Sequence, residues 1–275
     1  MLKKALSHLL TGKEISLLCS AFDVIGDIAI IKVPKELAGK EEIIAAQILS
    51  RMKNVVTVLN QVSNVEGEFR TRGLKFVAGE KKFETIHKES GCLFKVNVET
   101  VYFSPRLSTE RERISELIGD GERVFNMFAG VGTFSIIAAK RKKCVVESVD
   151  MNPEAIRCAK ESLKLNKKLK GAVNPILADA KEYSQNHVLS FERVLMPLPE
   201  RSFEFLDTAF ASVKTGGVIH YYTHVSQEDF LDEFWIEKRL KQANLSRKYS
   251  VMKWKRVREV GPRYIQAVAD VAVLS

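Results

Sequence analysis

Hydrophobic positions keep two different rhythms along the chain. In the first hundred residues short β-type runs dominate: Ile28-Ala29-Ile30-Ile31-Lys32-Val33 is ended by Pro34, and residues 55–59, 74–77 and 93–98 repeat the pattern. Ile43, Ile44, Ile48 and Met52 recur at helical spacing, so residues 40–52 are predicted as a helix with one apolar face. Residues 20–100 therefore read as a small α+β domain. Ahead of it, residues 1–19 carry helical spacing at Ala5, Leu9 and Leu10, broken by Gly12, and read as a short separate segment.

From residue 123 strand-like and helix-like segments alternate, as in a parallel sheet assembled from βα units. Strands are predicted over 123–127, 145–149, 173–177, 193–196 and 218–222, with helices from 134, after Asn152-Pro153, over 203–213 and over 229–243. Asn152 is a suitable cap, Pro153 fits a first turn, and Ile156, Ala159 and Leu163 mark the buried face. Two last strands, 249–254 and 264–273, can pair as a hairpin through Gly261-Pro262, which predicts an antiparallel edge on a mainly parallel sheet. The fold class is α/β, with the larger domain and its leading linker motif over 101–275 and the smaller α+β domain before it.

A chain of 275 residues, 45% hydrophobic and 28% charged, is an ordinary globular one of a size that suits one large and one small domain. The net charge of +9 changes the picture more, because excess Lys and Arg attract polyanions; nucleic acid becomes the leading partner class over a merely soluble basic protein. Cys19, Cys92, Cys144 and Cys158 show no metal-ligand spacing, so neither a zinc site nor a disulfide framework is predicted. No stretch reaches the roughly 18 apolar residues of a membrane span. The N-terminus lacks the apolar core of a signal peptide, and the reading is of a cytoplasmic protein without a membrane partner.

Candidate chemistry gathers behind the first strand of the larger domain. Gly130 and Gly132 follow that strand, where a glycine loop lets backbone approach a ligand at the carboxyl edge of a sheet; a tight structural turn is the alternative. Asp150 ends the second strand eighteen residues after Gly132, where a carboxylate can accept both hydroxyls of a ribose. Asp179 ends the third, near where an adenine edge would lie. Either acid alone could equally cap a helix. Together with the loop they point to a nucleoside cofactor.

The loop Phe128-Ala129-Gly130-Val131-Gly132 and the two strand-end acids resemble class I, Rossmann-like methyltransferases across residues 122–275. The resemblance implies S-adenosylmethionine as cofactor, contacted by Phe128, Gly130, Val131, Gly132, Asp150, Met151, Asp179 and Ala180. More specifically, the chain resembles the archaeal and eukaryotic tRNA (guanine-37, N1)-methyltransferase family from Phe22 onward. Four segments carry this: Phe22-Asp23-Val24-Ile25-Gly26-Asp27-Ile28-Ala29; Phe69-Arg70 with Gly79-Glu80; Val101-Tyr102-Phe103-Ser104-Pro105-Arg106-Leu107-Ser108-Thr109-Glu110-Arg111; and Asn126-Met127 with the glycine loop. The implied substrate is tRNA, tRNA-Phe or another with guanine at position 37, bound by a monomer that does not act on DNA.

Guanine N1 carries a proton at neutral pH, so methylation there requires a proton acceptor and a cation for charge developing on O6. By resemblance Glu110 is that acceptor and Arg70 the guanine-contacting arginine. The same resemblance implies that Tyr102, Arg106, Pro197 and Pro199 line the substrate side. Without the resemblance, Glu110-Arg111-Glu112-Arg113 reads as a solvated helical face, Arg70 and Arg72 as phosphate contacts and Tyr102 as a packing residue. Near the C-terminus, seven basic residues from Arg247 to Arg263 face the single acid Glu259, with Tyr249 and Trp254 interleaved. That stretch suits an RNA track with stacking, or a basic edge strand protected from aggregation.

Two departures from the family pattern stand out: Asn126 where an acid is usual, and Pro197-Leu198-Pro199 where Asn-Leu-Pro is usual. A proline side chain cannot hydrogen-bond a base. Pro197 fits the related archaeal branch that also methylates carbon 7 of 4-demethylwyosine, the tricyclic base made from the same nucleotide. An aminocarboxypropyl transferase of that pathway and an RNA-binding protein with a vestigial cofactor fold are the competing readings.

Overall fold

The computed structural model describes residues 2–19, 21–67 and 69–275. It divides into two compact units, Met1–Glu89 with Leu93–Pro105, and Ser90–Cys92 with Arg106–Ser275.

The first unit runs α1 (Leu2–Leu6), α2 (Gly12–Leu17), β1 (Asp23–Ile25), β2 (Ile28–Ile31), α3 (Glu41–Arg51), β3 (Thr57–Glu66) and β4 (Thr71–Gly79), followed by the two-stranded sheet of β5 (Glu84–Glu89) and β6 (Cys92–Asn97). Its main sheet has the order β1-β2-β3-β4, with β2 and β3 parallel because α3 crosses between them. Ile44, Ala45 and Ile48 of α3 enter the core. The first nineteen residues do not stand apart: Leu2, Leu6, Leu10 and Leu18 join that same core, while Leu9 is 48% exposed. The buried stripe is the i, i+4, i+8 row from Leu2 rather than the one through Ala5 and Leu9. β5 escapes a periodicity reading because its sequence, Glu-Thr-Ile-His-Lys-Glu, buries the polar Thr85 and Glu89 and exposes Ile86.

The second unit continues with α4 (Ser108–Leu117), β7 (Arg123–Asn126), α5 (Thr133–Arg141), β8 (Val145–Asp150), α6 (Pro153–Leu165), β9 (Ala172–Leu177), α7 (Ala180–Gln185), β10 (Phe191–Met196), α8 (Leu206–Ser212), β11 (Val213–Ser226), α9 (Trp235–Lys241), β12 (Tyr249–Glu259) and β13 (Tyr264–Val273). The sheet order is β12-β13-β11-β10-β7-β8-β9, and β7 to β11 are parallel: a Rossmann-like α/β architecture. One face packs Phe125, Val194, Ile219 and Ala269 against α8 and α9; the other packs Val124, Leu195, Tyr222 and Val268 against Ile114 and Ile118 of the α4 segment and Phe134 of α5.

The final hairpin forms, yet its antiparallel member is not the edge. β13 is inserted between β11 and β12, antiparallel to both. From Ile265 to Asp270 every residue of β13 is buried, so both its faces must be covered, whereas β12 alternates with exposed basic residues and takes the outside. The long helix read over 229–243 is a 3-10 turn at Asp229–Leu231 and a separate α9.

Candidate active site

The chain leaves β7 for β8 and β9 on one side, then returns to β10 on the other, which creates a crevice at the carboxyl ends of these strands. Asn126 closes β7 there. Its Nδ2 donates to Ser135 Oγ at 3.1 Å, and Ser135 Oγ lies 2.8 Å from Ser148 Oγ, so the strand end is tied to α5 and to β8. Asn126 Oδ1 is buried without a hydrogen-bond partner among the described residues.

The loop then turns sharply through Gly130 (φ +55°) and Gly132 (φ +80°), the latter the left-handed cap from which α5 starts. Ala129 N donates to Val149 O at 2.9 Å and Gly130 N to Asp150 Oδ2 at 2.7 Å. Asp150 Oδ1 accepts from Asn152 N at 2.9 Å. Burial pushes the Asp150 carboxyl above its ordinary range, against the downward pull of the Asn152 and Gly130 amides. Each of its oxygens keeps a lone pair for a further donor such as a ribose hydroxyl.

Met151 beside it is 37% exposed, an apolar wall at the crevice. Asp179 does serve as a helix cap: Oδ1 accepts from Lys181 N at 2.7 Å and from Glu182 N, and Ala180 after it is buried. Phe128 stands edge-on to Phe205 at 4.9 Å. A carboxylate, a glycine turn and an exposed apolar side chain at adjacent strand ends fit a nucleoside-bearing cofactor.

Glu110 stands on α4 and is only 3% exposed, so a solvated helical face is excluded for it. Its carboxylate accepts from Arg113 Nη2 (2.7 Å) and Nε (3.0 Å) and from the Tyr222 hydroxyl (2.8 Å), and Lys255 Nζ lies 3.1 Å away. Arg111 is also buried, its guanidinium 5.9 Å from the Phe134 ring, while Glu112 faces outward to Arg141. Arg113 continues to Asp270, donating from Nη1 to Oδ2 at 2.6 Å. Asp270 Oδ1 is 2.6 Å from His220 Nδ1, and Arg193 Nη1 is 2.7 Å from His220 Nε2.

A guanidinium can only donate, so His220 Nε2 accepts and the ring proton sits on Nδ1, where it donates to Asp270. The imidazole is therefore neutral, and burial holds its pKa below the ordinary value. Burial alone would raise Asp270, but the hydrogen bonds from His220 and Arg113 outweigh it and keep the carboxyl well below the usual carboxylate range. Arg113 is raised in turn, its bonds to Glu110 and Asp270 overcoming desolvation. Burial, reinforced by Glu110, raises the Tyr222 phenol well above its ordinary value and keeps it a donor. None of Arg113, Arg193, His220, Tyr222, Lys255 and Asp270 is singled out by periodicity. The signal available was Asp270, the one charged residue in the strand Tyr264–Val273.

Within the first unit, Arg70 follows the β3 turn with φ +54°, and its guanidinium lies 4.2 Å from the centre of the Tyr102 ring. The structure thus brings Arg70 and Tyr102 together in one unit, while Glu110 belongs to the other. Arg106 lies in the 3-10 turn Pro105–Leu107. After β10, Pro197-Leu198-Pro199 makes a tight turn in which Ser202 Oγ donates to Met196 O (2.8 Å) or Leu198 O (2.7 Å), and Pro199 is buried.

The C-terminal basic stretch differs from an RNA stacking track. Tyr249 packs on Phe210 and Trp254 on Trp235 and Phe230, so both aromatics are spent on the core. Arg247 binds the carbonyls of Phe210 and Val213. Lys255 goes to Glu110 and Arg258 to Gln266. The strand alternates because one row closes on the protein, and charge counting cannot separate that row from the outer one.

Residues 85–252 match the TRM5/TYW2 methyltransferase domain and residues 2–82 the TYW2 N-terminal domain. The chain is 47% identical over 203 residues to a tRNA (guanine(37)-N(1))-methyltransferase Trm5b of Pyrococcus abyssi, covering 74% of this chain and 59% of that protein. It is 40% identical over 159 residues, 58% of this chain and 52% of the other, to the tRNA (guanine(37)-N(1))/4-demethylwyosine(37)-methyltransferase Taw22 of Nanoarchaeum equitans. It therefore spans between half and three fifths of these relatives' length. A solved complex of aTrm5 with tRNALeu superposes with a TM-score of 0.85 at 33% identity, over all of this chain and 78% of that one. On the match of its larger domain, the chain belongs to the TRM5/TYW2 methyltransferase family.

Proposed function

We propose that this protein transfers a methyl group from S-adenosylmethionine to N1 of guanine 37 in tRNA. The observation that carries the reading is the buried Glu110 carboxylate on α4, packed beside α5, the helix that begins at the glycine turn. A proton acceptor and a nucleoside cradle thus belong to one unit. Bound S-adenosylmethionine supplies an electrophilic methyl group through its sulfonium. The chain's own tasks are then positioning and proton removal. Phe128, Gly130, Val131, Gly132, Asp150, Met151, Asp179 and Ala180 hold the cofactor. Glu110 takes the N1 proton, and Arg70, braced on Tyr102, stabilises charge on O6. Arg106, Pro197 and Pro199 line the base.

The tRNA-bound relative supports tRNA as partner. We assign tRNA-Phe and other tRNAs with guanine 37 as substrates of a cytoplasmic monomer; among the described residues no helix is long and apolar enough to cross a membrane.

A second activity, methylation of C7 of 4-demethylwyosine, is favoured by the Taw22 relative. That reaction also replaces a ring proton by methyl, so one acceptor serves both. Incubation with S-adenosylmethionine and either unmodified tRNA-Phe or tRNA bearing 4-demethylwyosine, followed by nucleoside mass spectrometry, tests both. A gain of about 14 mass units on guanosine 37 is the expected result, and a larger aminocarboxypropyl increment would overturn methyl transfer. Methylation of guanine alone would remove the second activity. A folded sample that fails to bind S-adenosylmethionine in calorimetry would mark a vestigial cofactor fold.

A further inference from the structure

Arg113 is shared between two carboxylates, Glu110 on its own helix and Asp270 on β13. Asp270 stands directly across from His220 in the β11–β13 register, so the sheet fixes where it can be. Behind His220, Arg193 binds Glu122 at 2.7 and 2.9 Å and donates to Leu117 O at 2.8 Å, in the last turn of α4. The helix bearing Glu110 is thereby fastened to the sheet through Arg113 in its middle and Leu117 in its last turn. The other groups facing the Glu110 carboxylate from this unit are Tyr222 on β11 and Lys255 on β12.

We propose that Asp270, with His220 and Arg193 behind it, is a positioning group that sets the orientation and proton affinity of Glu110 by sharing Arg113, and that Lys255 acts in the opposite sense. This rests on the reading of Glu110 as the proton acceptor. Removing the charge of Asp270 leaves Arg113 to Glu110 alone and removes a like charge nearby. Both changes favour the ionised carboxylate and weaken it as a base. Removing the charge of Lys255 does the reverse. A network that only supported the fold would change stability and leave the pH dependence of the reaction in place.

The test is single-turnover methyl transfer from S-adenosylmethionine to a tRNA transcript with guanine 37, followed against pH for the full chain and for D270N, K255M and E110Q. In D270N the acid limb of the rate profile moves to lower pH and the plateau falls about tenfold, while affinity for tRNA and cofactor stays within about twofold. In K255M the limb moves to higher pH. Limbs that stay in place, or move the same way in both variants, overturn the proposal. If D270N does not fold, K255M alone decides, because Lys255 is one-third exposed and tolerates substitution; an unmoved limb then overturns it. E110Q separates the two levels. Loss of activity in E110Q with unmoved limbs in the others rejects the positioning role only, whereas full activity in E110Q rejects the proton acceptor and the proposal with it.

Discussion

Replacing Arg193 by methionine keeps much of the side chain's length and removes its charge. Arg193 is 7% exposed and makes two bonds to Glu122, one to Leu117 O and one to His220 Nε2. The substitution strands a mostly buried carboxylate, a helix-end carbonyl and an imidazole acceptor together. Breaking a buried pair from one side costs about 3–5 kcal/mol, against roughly 5–15 kcal/mol for a whole domain. Both tryptophans, Trp235 and Trp254, lie in the second unit, so intrinsic fluorescence reports its unfolding without the first. R193M is expected to lower the urea midpoint by an amount equivalent to about 3–5 kcal/mol with an unchanged slope. In the double variant E122Q/R193M part of that loss is recovered, because the stranded charge is gone. A loss below about 1 kcal/mol, or strictly additive variants, would refute the view of Arg193 as the anchor of the network.

Because burial lowers the pKa of His220 in the folded state, the unfolded chain takes up a proton that the folded one does not as pH falls through the ordinary histidine range. Stability of the second unit should drop there by up to about 1.4 kcal/mol per pH unit, and H220Q, whose amide can donate and accept, should flatten that segment of fluorescence-monitored urea midpoints. The Asp270 contribution is present above the unfolded carboxylate range and is lost only as pH falls below it. D150N places an amide where Gly130 N and Asn152 N both donate and removes the charged acceptor for a ribose. Calorimetry is expected to show S-adenosylmethionine affinity reduced about 10- to 100-fold, and an unchanged affinity would exclude Asp150 from the cofactor site. Y102F keeps the ring beneath Arg70 and Y102A removes it; the turnover rate on tRNA should fall severalfold only in Y102A, and equal rates would leave Tyr102 without an orienting role.

Where local physics decides, the sequence is sufficient. The βα alternation after residue 123, the Asn152-Pro153 helix start and the two glycines at positive φ are each set by periodicity or by backbone sterics within a few residues, and the structure has them. The resemblance of the segment from Val101 to Arg111 located Glu110 but carried no information on its surroundings. Periodicity failed where residues are placed by distant neighbours. Leu2 and Leu6 are buried because α3 passes over them, and β13 lies inside the sheet because both its faces are covered. Tyr249 and Trp254 turn inward for the same reason, while Lys253 and Arg256 of β12 stay exposed.

The site shows the same division. Chain order separates Glu110, Arg193, His220, Tyr222, Lys255 and Asp270 by up to 160 residues, and nothing local to any one of them announces the others. They meet because β11, β13 and β10 are neighbours in the sheet and α4 lies across that face. In a buried layer every polar group must find a partner, so once sheet order is set the network follows. The sequence by itself determined the βα framework, the glycine turn and the strand-end acids. Only the tertiary structure decided which charges are paired around Glu110, because pairing depends on strand adjacency that is non-local in the chain.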